Sequence, residues 1–155
     1  MEKWAQSLIQ VLEDEQGIIQ KLLEIAGRKK DIVIQKDTAG LDGCLNTERP
    51  LLMQMDNLEK RRCDILRDAG MEGMSLRAAA DKADAEGRKA MTELLESMRD
   101  MLSRLKREND RNNQLVKEQM RYFNMLEGAM RSCYGVCGEK ETMSAGRNGL
   151  MDKKV

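Results

Sequence analysis

The sequence predicts an all-α protein: an elongated antiparallel helical bundle or coiled coil of three long helices plus one short helix, followed by a disordered C-terminal tail. Three observations carry this reading. Asp84 to Ser132 run without a proline on one apolar stripe. At ~1.5 Å per residue such a helix is a rod of about 70 Å, which must lie against other long helices. Apolar residues recur in alternating steps of three and four through every long segment. The composition is 35% charged and 3% aromatic, which suits long helices exposing a charged face and gives a sheet little to be built from.

The first helix is expected over residues 2–36. Trp4, Leu8, Val11, Ile18, Leu22, Ile25 and Ile32 form its stripe, and Glu15 and Lys29 take the two stripe positions that are not apolar. Ile9, Leu12, Ile19, Leu23 and Ala26 widen the stripe, as in a helix touching two neighbours. Asp37 to Gly40 reads as a short polar turn, with Asp37 and Thr38 as good caps for the next helix.

That second helix is expected over residues 39–68, with Leu41, Cys44, Leu51, Met55, Leu58 and Ile65 in heptad steps. Pro50 lacks a backbone N–H, so a kink or short break is expected near Asn46 to Arg49, with Thr47 capping the restart. Gly70 to Met74 reads as a turn, and Ser75 as the cap of a short alanine-rich helix over 76–83. The last long helix, 85–132, carries Met91, Leu94, Leu95, Met98, Met101, Leu102 and Leu105. Residues 1–138 form one helical domain on this reading. Residues 139–155, polar, glycine-bearing and aperiodic, are its flexible tail.

The same features narrow the function. Twenty-seven basic residues balance twenty-seven acidic ones and are interleaved with them, so no positive stripe forms for nucleic acid. No apolar run reaches membrane-helix length, and Met1-Glu2-Lys3 leads into an amphipathic segment, so a cytoplasmic protein without membrane insertion is expected. There is no histidine, no phosphate-binding glycine loop and no carboxylate cluster at metal spacing, so neither enzyme chemistry nor a cofactor or metal is expected. Asp14–Glu15 reads as surface charge and Arg61–Arg62 as a solvated helix end. Cys44, Cys63, Cys133 and Cys137 read as solvated or half-buried free thiols.

One stretch stands out. The stripe of the long helix turns polar at Asn109, Asn112 and Asn113, then resumes at Leu115, Val116, Tyr122, Phe123, Leu126 and Met130. Either a buried asparagine fixes helix register, or these asparagines mark where the bundle ends and a binding surface begins. Met120, Met125 and Met130 beside Tyr122 and Phe123 have the composition of an adaptable surface for partner helices, though ordinary core has the same periodicity.

Asn109-x-x-Asn112-x-x-Leu115, a further helical segment, then Tyr134-Gly135-x-x-Gly138 and a polar tail resemble the C-terminal half of the FlgN-type flagellar export chaperones. Leu58-Glu59-Lys60-Arg61-Arg62 is similar to that family's second helix, and Asp152-Lys153-Lys154-Val155 to the way many members end. Pro50 and the two cysteines flanking Tyr134 depart from the pattern. The resemblance implies a cytoplasmic chaperone that binds the helical terminal segment of hook-associated proteins, prevents premature assembly and delivers them to the type III export gate. It places substrate binding at Asn109, Asn112, Leu115, Gln119, Tyr122, Phe123, Leu126 and Met130, and gate contact at Tyr134, Gly135 and Gly138. Another helical adaptor, a different secretion chaperone or a structural coiled-coil protein is the alternative, and the oligomeric state stays open.

Overall fold

The structure is a computed structural model that describes the backbone of residues 1–134 and their side chains except those of Phe123 and of Met130 onward. Among the described residues there are four helices and no strand: α1 (Lys3–Ile34), α2 (Thr38–Asp68), α3 (Leu76–Lys82) and α4 (Ala85–Tyr134). The chain divides into two units, residues 1–113 and 114–155. The helical bundle belongs to the first.

Local contacts set the close of α1, both ends of α2 and the starts of α3 and α4. At the end of α1 the Asp37 N–H donates to the Ile32 carbonyl and the Lys36 N–H to the Val33 carbonyl. This crossed pair of bonds closes a helix when the residue past the cap turns left-handed. Lys36 does so, with φ 58°. The same closure ends α2, where Met71 reaches the Leu66 carbonyl, Gly70 the Arg67 carbonyl, and Gly70 is the left-handed residue. Asp37 also opens α2: its Oδ1 accepts the Gly40 N–H at 3.0 Å. A side chain at position 40 would put its Cβ 2.5 Å from Asp37 Oδ2, so the capping carboxylate would have to move off the first turn to admit it. Gly40 thus lies in the first turn of α2, within the helix expected over residues 39–68. Ser75 Oγ caps α3 by accepting the Ala78 N–H at 3.1 Å. Asp84 does the same for α4 through the Gly87 N–H at 2.8 Å, and that bond holds its carboxyl below the usual carboxylate range.

The break expected at Pro50 is absent. α2 runs through it without interruption, and Thr47 donates its hydroxyl to the Gly43 carbonyl one turn back, where a restart cap would have faced forward. Packing holds the helix together here: Leu51 is buried against Ile18, Leu22 and Ile25, and Lys29 pairs with Glu48 at 2.6 Å. Proline removes one backbone bond, and the burial of neighbouring apolar groups offsets it.

Two core clusters organise the first unit. One joins Leu8, Leu12, Ile19 and Leu23 of α1 to Leu66, Met71, Ala79, Ala80, Met91 and Met98. Leu8, Leu12, Ile19 and Met91 are among the largest fully buried side chains, each stabilising by about 2 kcal/mol. The alanines of α3 let that short helix sit close. The other cluster holds Ile18, Leu22, Ile25 and Leu51, with Cys44, Leu58 and Leu105 packed against it.

Directions follow from named contacts. Glu15 meets Arg62 and Lys29 meets Glu48, so α2 returns antiparallel to α1. Gln16 Nε2 donates to Ser97 Oγ at 2.8 Å and Asn112 Nδ2 to the Ala26 carbonyl at 2.9 Å, so this part of α4 runs parallel to α1.

Two expected surface charges prove to be paired, one of them buried and the other half-buried. Glu15 is only 2% exposed, and Arg62 Nη1 donates to both its oxygens at 3.2 and 3.0 Å. Burial pushes the Glu15 carboxyl above its ordinary range, against the opposing pull of the Arg62 guanidinium. Arg62 is therefore the partner of a buried carboxylate and no solvated helix end. Cys44 is half-buried and Cys63 exposed, both as free thiols. Cys133, Cys137 and the tail over 139–155 lie outside the described side chains.

Candidate partner-binding surface

A helix that packs on one side keeps one residue per heptad on the seam, and α4 allows that position to be followed along its length. Met91, Met98, Leu105, Asn112, Gln119 and Leu126 stand seven residues apart. The first two are buried, Leu105 is half-buried, and Asn112 is 4% exposed. Gln119 is half-buried and Leu126 is 47% exposed. The side chains along this line change from apolar to amide and back to apolar.

Asn112 is the buried member of the three asparagines. Asn109 is half-buried and Asn113 exposed. Asn112 Nδ2 is bonded to α1, while its Oδ1, equally buried, has no hydrogen-bond partner among the described residues. A carboxamide used at one end only holds α4 at one position on α1 and gives up part of its hydrogen-bonding capacity to do so. Of the two readings the sequence allowed for these asparagines, the register-fixing one describes Asn112.

In the second unit, Leu115 is half-buried and Val116 exposed. Met120 is 44% exposed, Tyr122 57% and Met125 69%. Together with Leu126 they place methionine and aromatic surface in contact with solvent over three helical turns. Flexible thioether side chains adapt to a partner's contour, and each buried methylene adds about 0.8 kcal/mol when that surface is covered. Apolar exposure is not unique to this segment, since Ile34, Leu52 and Met53 are also more than half exposed. What sets 115–126 apart is the density of such residues along one continuous stretch. Lys117, Glu118 and Arg121 alternate sign beside them and are exposed.

The side chains of Phe123 and Met130 lie outside the described ones. So does that of Tyr134, and so do Gly135 and Gly138. Among the described residues no group of His, Cys, Asp or Glu is placed to hold a metal ion, and no helix is long and apolar enough to cross a membrane. Burial of Glu15 and the choice of Asn112 among the three asparagines are features that periodicity alone did not reveal. A signal for the first existed, since Glu15 interrupts the widest apolar stretch of α1 and an arginine stands on the core side of α2.

Neither a curated protein nor a solved structure matches the chain. The family described as FlgN protein matches residues 1–133, so the chain belongs to the FlgN family, and membership implies a flagellar export chaperone.

Proposed function

We propose that this chaperone works in the cytoplasm, captures the helical terminal segment of a hook-associated protein on the α4 surface around Leu115 to Met130, and delivers it to the cytoplasmic domain of the export gate through Tyr134, Gly135 and Gly138. The observation that carries the capture step is the run of solvent-facing Val116, Met120, Tyr122, Met125 and Leu126 on one helix. Subunits that assemble through heptad segments are self-adhesive until those segments are covered, and a helix presenting apolar side chains at helical spacing is a fitting cover. Apolar burial supplies the free energy of capture, so no nucleotide, cofactor or catalytic step is called for. On this reading Leu115, Gln119, Tyr122, Phe123, Leu126 and Met130 meet the substrate. Asn109 borders them, and Asn112 fixes α4 beside them.

The test replaces Phe123 and Leu126 together by serine and measures binding of a hook-associated protein's terminal segment by calorimetry. Binding is expected to fall by at least about a hundredfold, the loss of roughly two buried apolar side chains, with far-UV helicity unchanged. Unchanged affinity in the folded variant removes this surface from the proposal. Tyr134→Ala is expected to weaken gate docking and leave segment capture intact; loss of both together contradicts the division of roles.

A further inference from the structure

The ion pairs between α1 and α2 have a pattern beyond their individual contacts. Glu15 and Lys29 stand two heptads apart on α1, and Glu48 and Arg62 two heptads apart on α2. Each helix therefore carries one charge of each sign at equivalent seam positions. In the fold, Glu15 faces Arg62 at 3.0 Å and Lys29 faces Glu48 at 2.6 Å, and both pairs belong to one antiparallel register.

The apolar seam does not choose that arrangement by itself. Laid parallel with position 15 against position 48, the two helices would match Leu8 to Leu41, Val11 to Cys44, Ile18 to Leu51, Leu22 to Met55, Ile25 to Leu58 and Ile32 to Ile65. From Leu8 to Ile32 every apolar position of the seam meets another, since a free cysteine behaves as a small hydrophobe. Only the charges object: Glu15 would meet Glu48 and Lys29 would meet Arg62. Antiparallel slips of two heptads fare similarly, one setting Glu15 against Glu48 and the other Lys29 against Arg62. At a site as dry as that of Glu15, a second carboxylate is strongly disfavoured.

Within one chain the three-residue connection Gln35 to Asp37 already forbids these alternatives, because it cannot span the length of a helix. They are open only between two copies. We infer that the opposed polarity of these pairs is a device against mispairing with a second copy of this chain: it admits the one antiparallel register used within a copy and rejects parallel or slipped pairing of α1 with another copy's α2. Heptad-rich helices pair promiscuously unless charges exclude the wrong partner. The inference stands whether or not the α4 surface binds a hook-associated segment.

Half-exchange of the code separates this role from that of ordinary ion pairs. E15R/R62E keeps opposite charges at both native contacts, yet it makes the parallel alignment and both slips attractive. K29E/E48K does the same at the less buried pair, so one half-exchanged variant remains if the other fails to fold. The quadruple variant E15R/R62E/K29E/E48K reverses every sign and restores the like-charge clashes. Each full chain is unfolded, refolded over a concentration series and examined by sedimentation velocity. Mispairing between copies is read from energy transfer between one preparation labelled near the start of α1 and another labelled near the start of α2, ends that parallel pairing brings together and the native antiparallel register keeps apart.

A folded half-exchanged variant is expected to gain self-association and mispaired energy transfer by roughly tenfold or more over the native chain, and the quadruple variant to return to the native level. Half-exchanged variants that sediment and transfer energy like the native chain, or a quadruple variant that associates as they do, would overturn the inference.

Discussion

α1 is held on two sides by polar contacts of different kinds. Towards α2 they are ionic: Glu15 with Arg62 and Lys29 with Glu48. Towards α4 they are neutral: Gln16 with Ser97, and the Ala26 carbonyl with Asn112. A charge has a sign, so an ionic contact distinguishes a correct neighbour from a wrong one by attraction and by repulsion. An amide bonded to a carbonyl marks a position and carries no comparable repulsion. The two faces also differ in what remains when a partner is taken away. Removal of Arg62 strands a dehydrated carboxylate, whereas removal of Asn112 leaves only a carbonyl that already serves its own helix. The difference makes the α2 face costly to disrupt and the α4 face cheap.

The largest expected effect tests the costly side. Arg62→Ala should lower unfolding free energy by about 3–5 kcal/mol at neutral pH in urea denaturation. A loss near that of an exposed ion pair, below about 1 kcal/mol, would erase the contrast between the faces. The same variant carries a pH signature. Burial already raises the Glu15 carboxyl above its ordinary range, and loss of the arginine removes the main opposing influence. A carboxyl whose folded-state value is raised contributes stability below its unfolded value, and that stability is lost as pH climbs through the folded value. Arg62→Ala should therefore regain stability on acidification from neutral pH towards the ordinary glutamate range, more than the native chain does. A midpoint that moves with pH as the native chain's does would mean that Glu15 finds another partner.

Next comes the neutral side. Asn112→Ala should cost about 1–2 kcal/mol, from one lost hydrogen bond and a small vacancy. Asn112→Leu, which also removes the unpartnered Oδ1, should stay within about 1 kcal/mol of the native chain or exceed it. If both variants lose as much as Arg62→Ala, the amide is as indispensable as the ion pair and the comparison fails. The smallest change is expected from Gln16→Ala, at about 0.5–1 kcal/mol, since its bond to Ser97 is half-buried and uncharged. Hydrogen exchange would sharpen the picture: Gln16→Ala should speed exchange of amides in the first half of α4 and leave those of α2 unchanged.

Periodicity made the fold class legible because burial of a helix face leaves its mark at every third or fourth residue, as Leu8, Val11, Ile18 and Leu22 illustrate. Caps at Asp37 and Ser75 were legible for a similar reason, since their side chains bond to amides three residues away. Other features depend on contacts far along the chain. Pro50 reads as a break until Leu51 is seen packed between residues of α1, and Glu15 reads as surface until Arg62 arrives from forty-seven positions later. The asparagines left two readings open, and a hydrogen bond spanning eighty-six positions chose one for Asn112. Resemblance pointed to the family, whose match covers residues 1–133. The partner-facing residues are less legible, because a stripe awaiting a partner and a stripe packed at home share one spacing.

Asp37 and Gly40 carry a consequence of another sort. The carboxylate that starts α2 occupies the volume a side chain at position 40 would need, so neither residue is free to drift alone. Across related chains the two positions should vary jointly: an acidic cap accompanied by glycine, and bulkier residues at 40 only where 37 has stopped capping. A single-step mutational path between those two states passes through a sequence in which the hairpin's second helix starts poorly, and selection should find few lineages caught there.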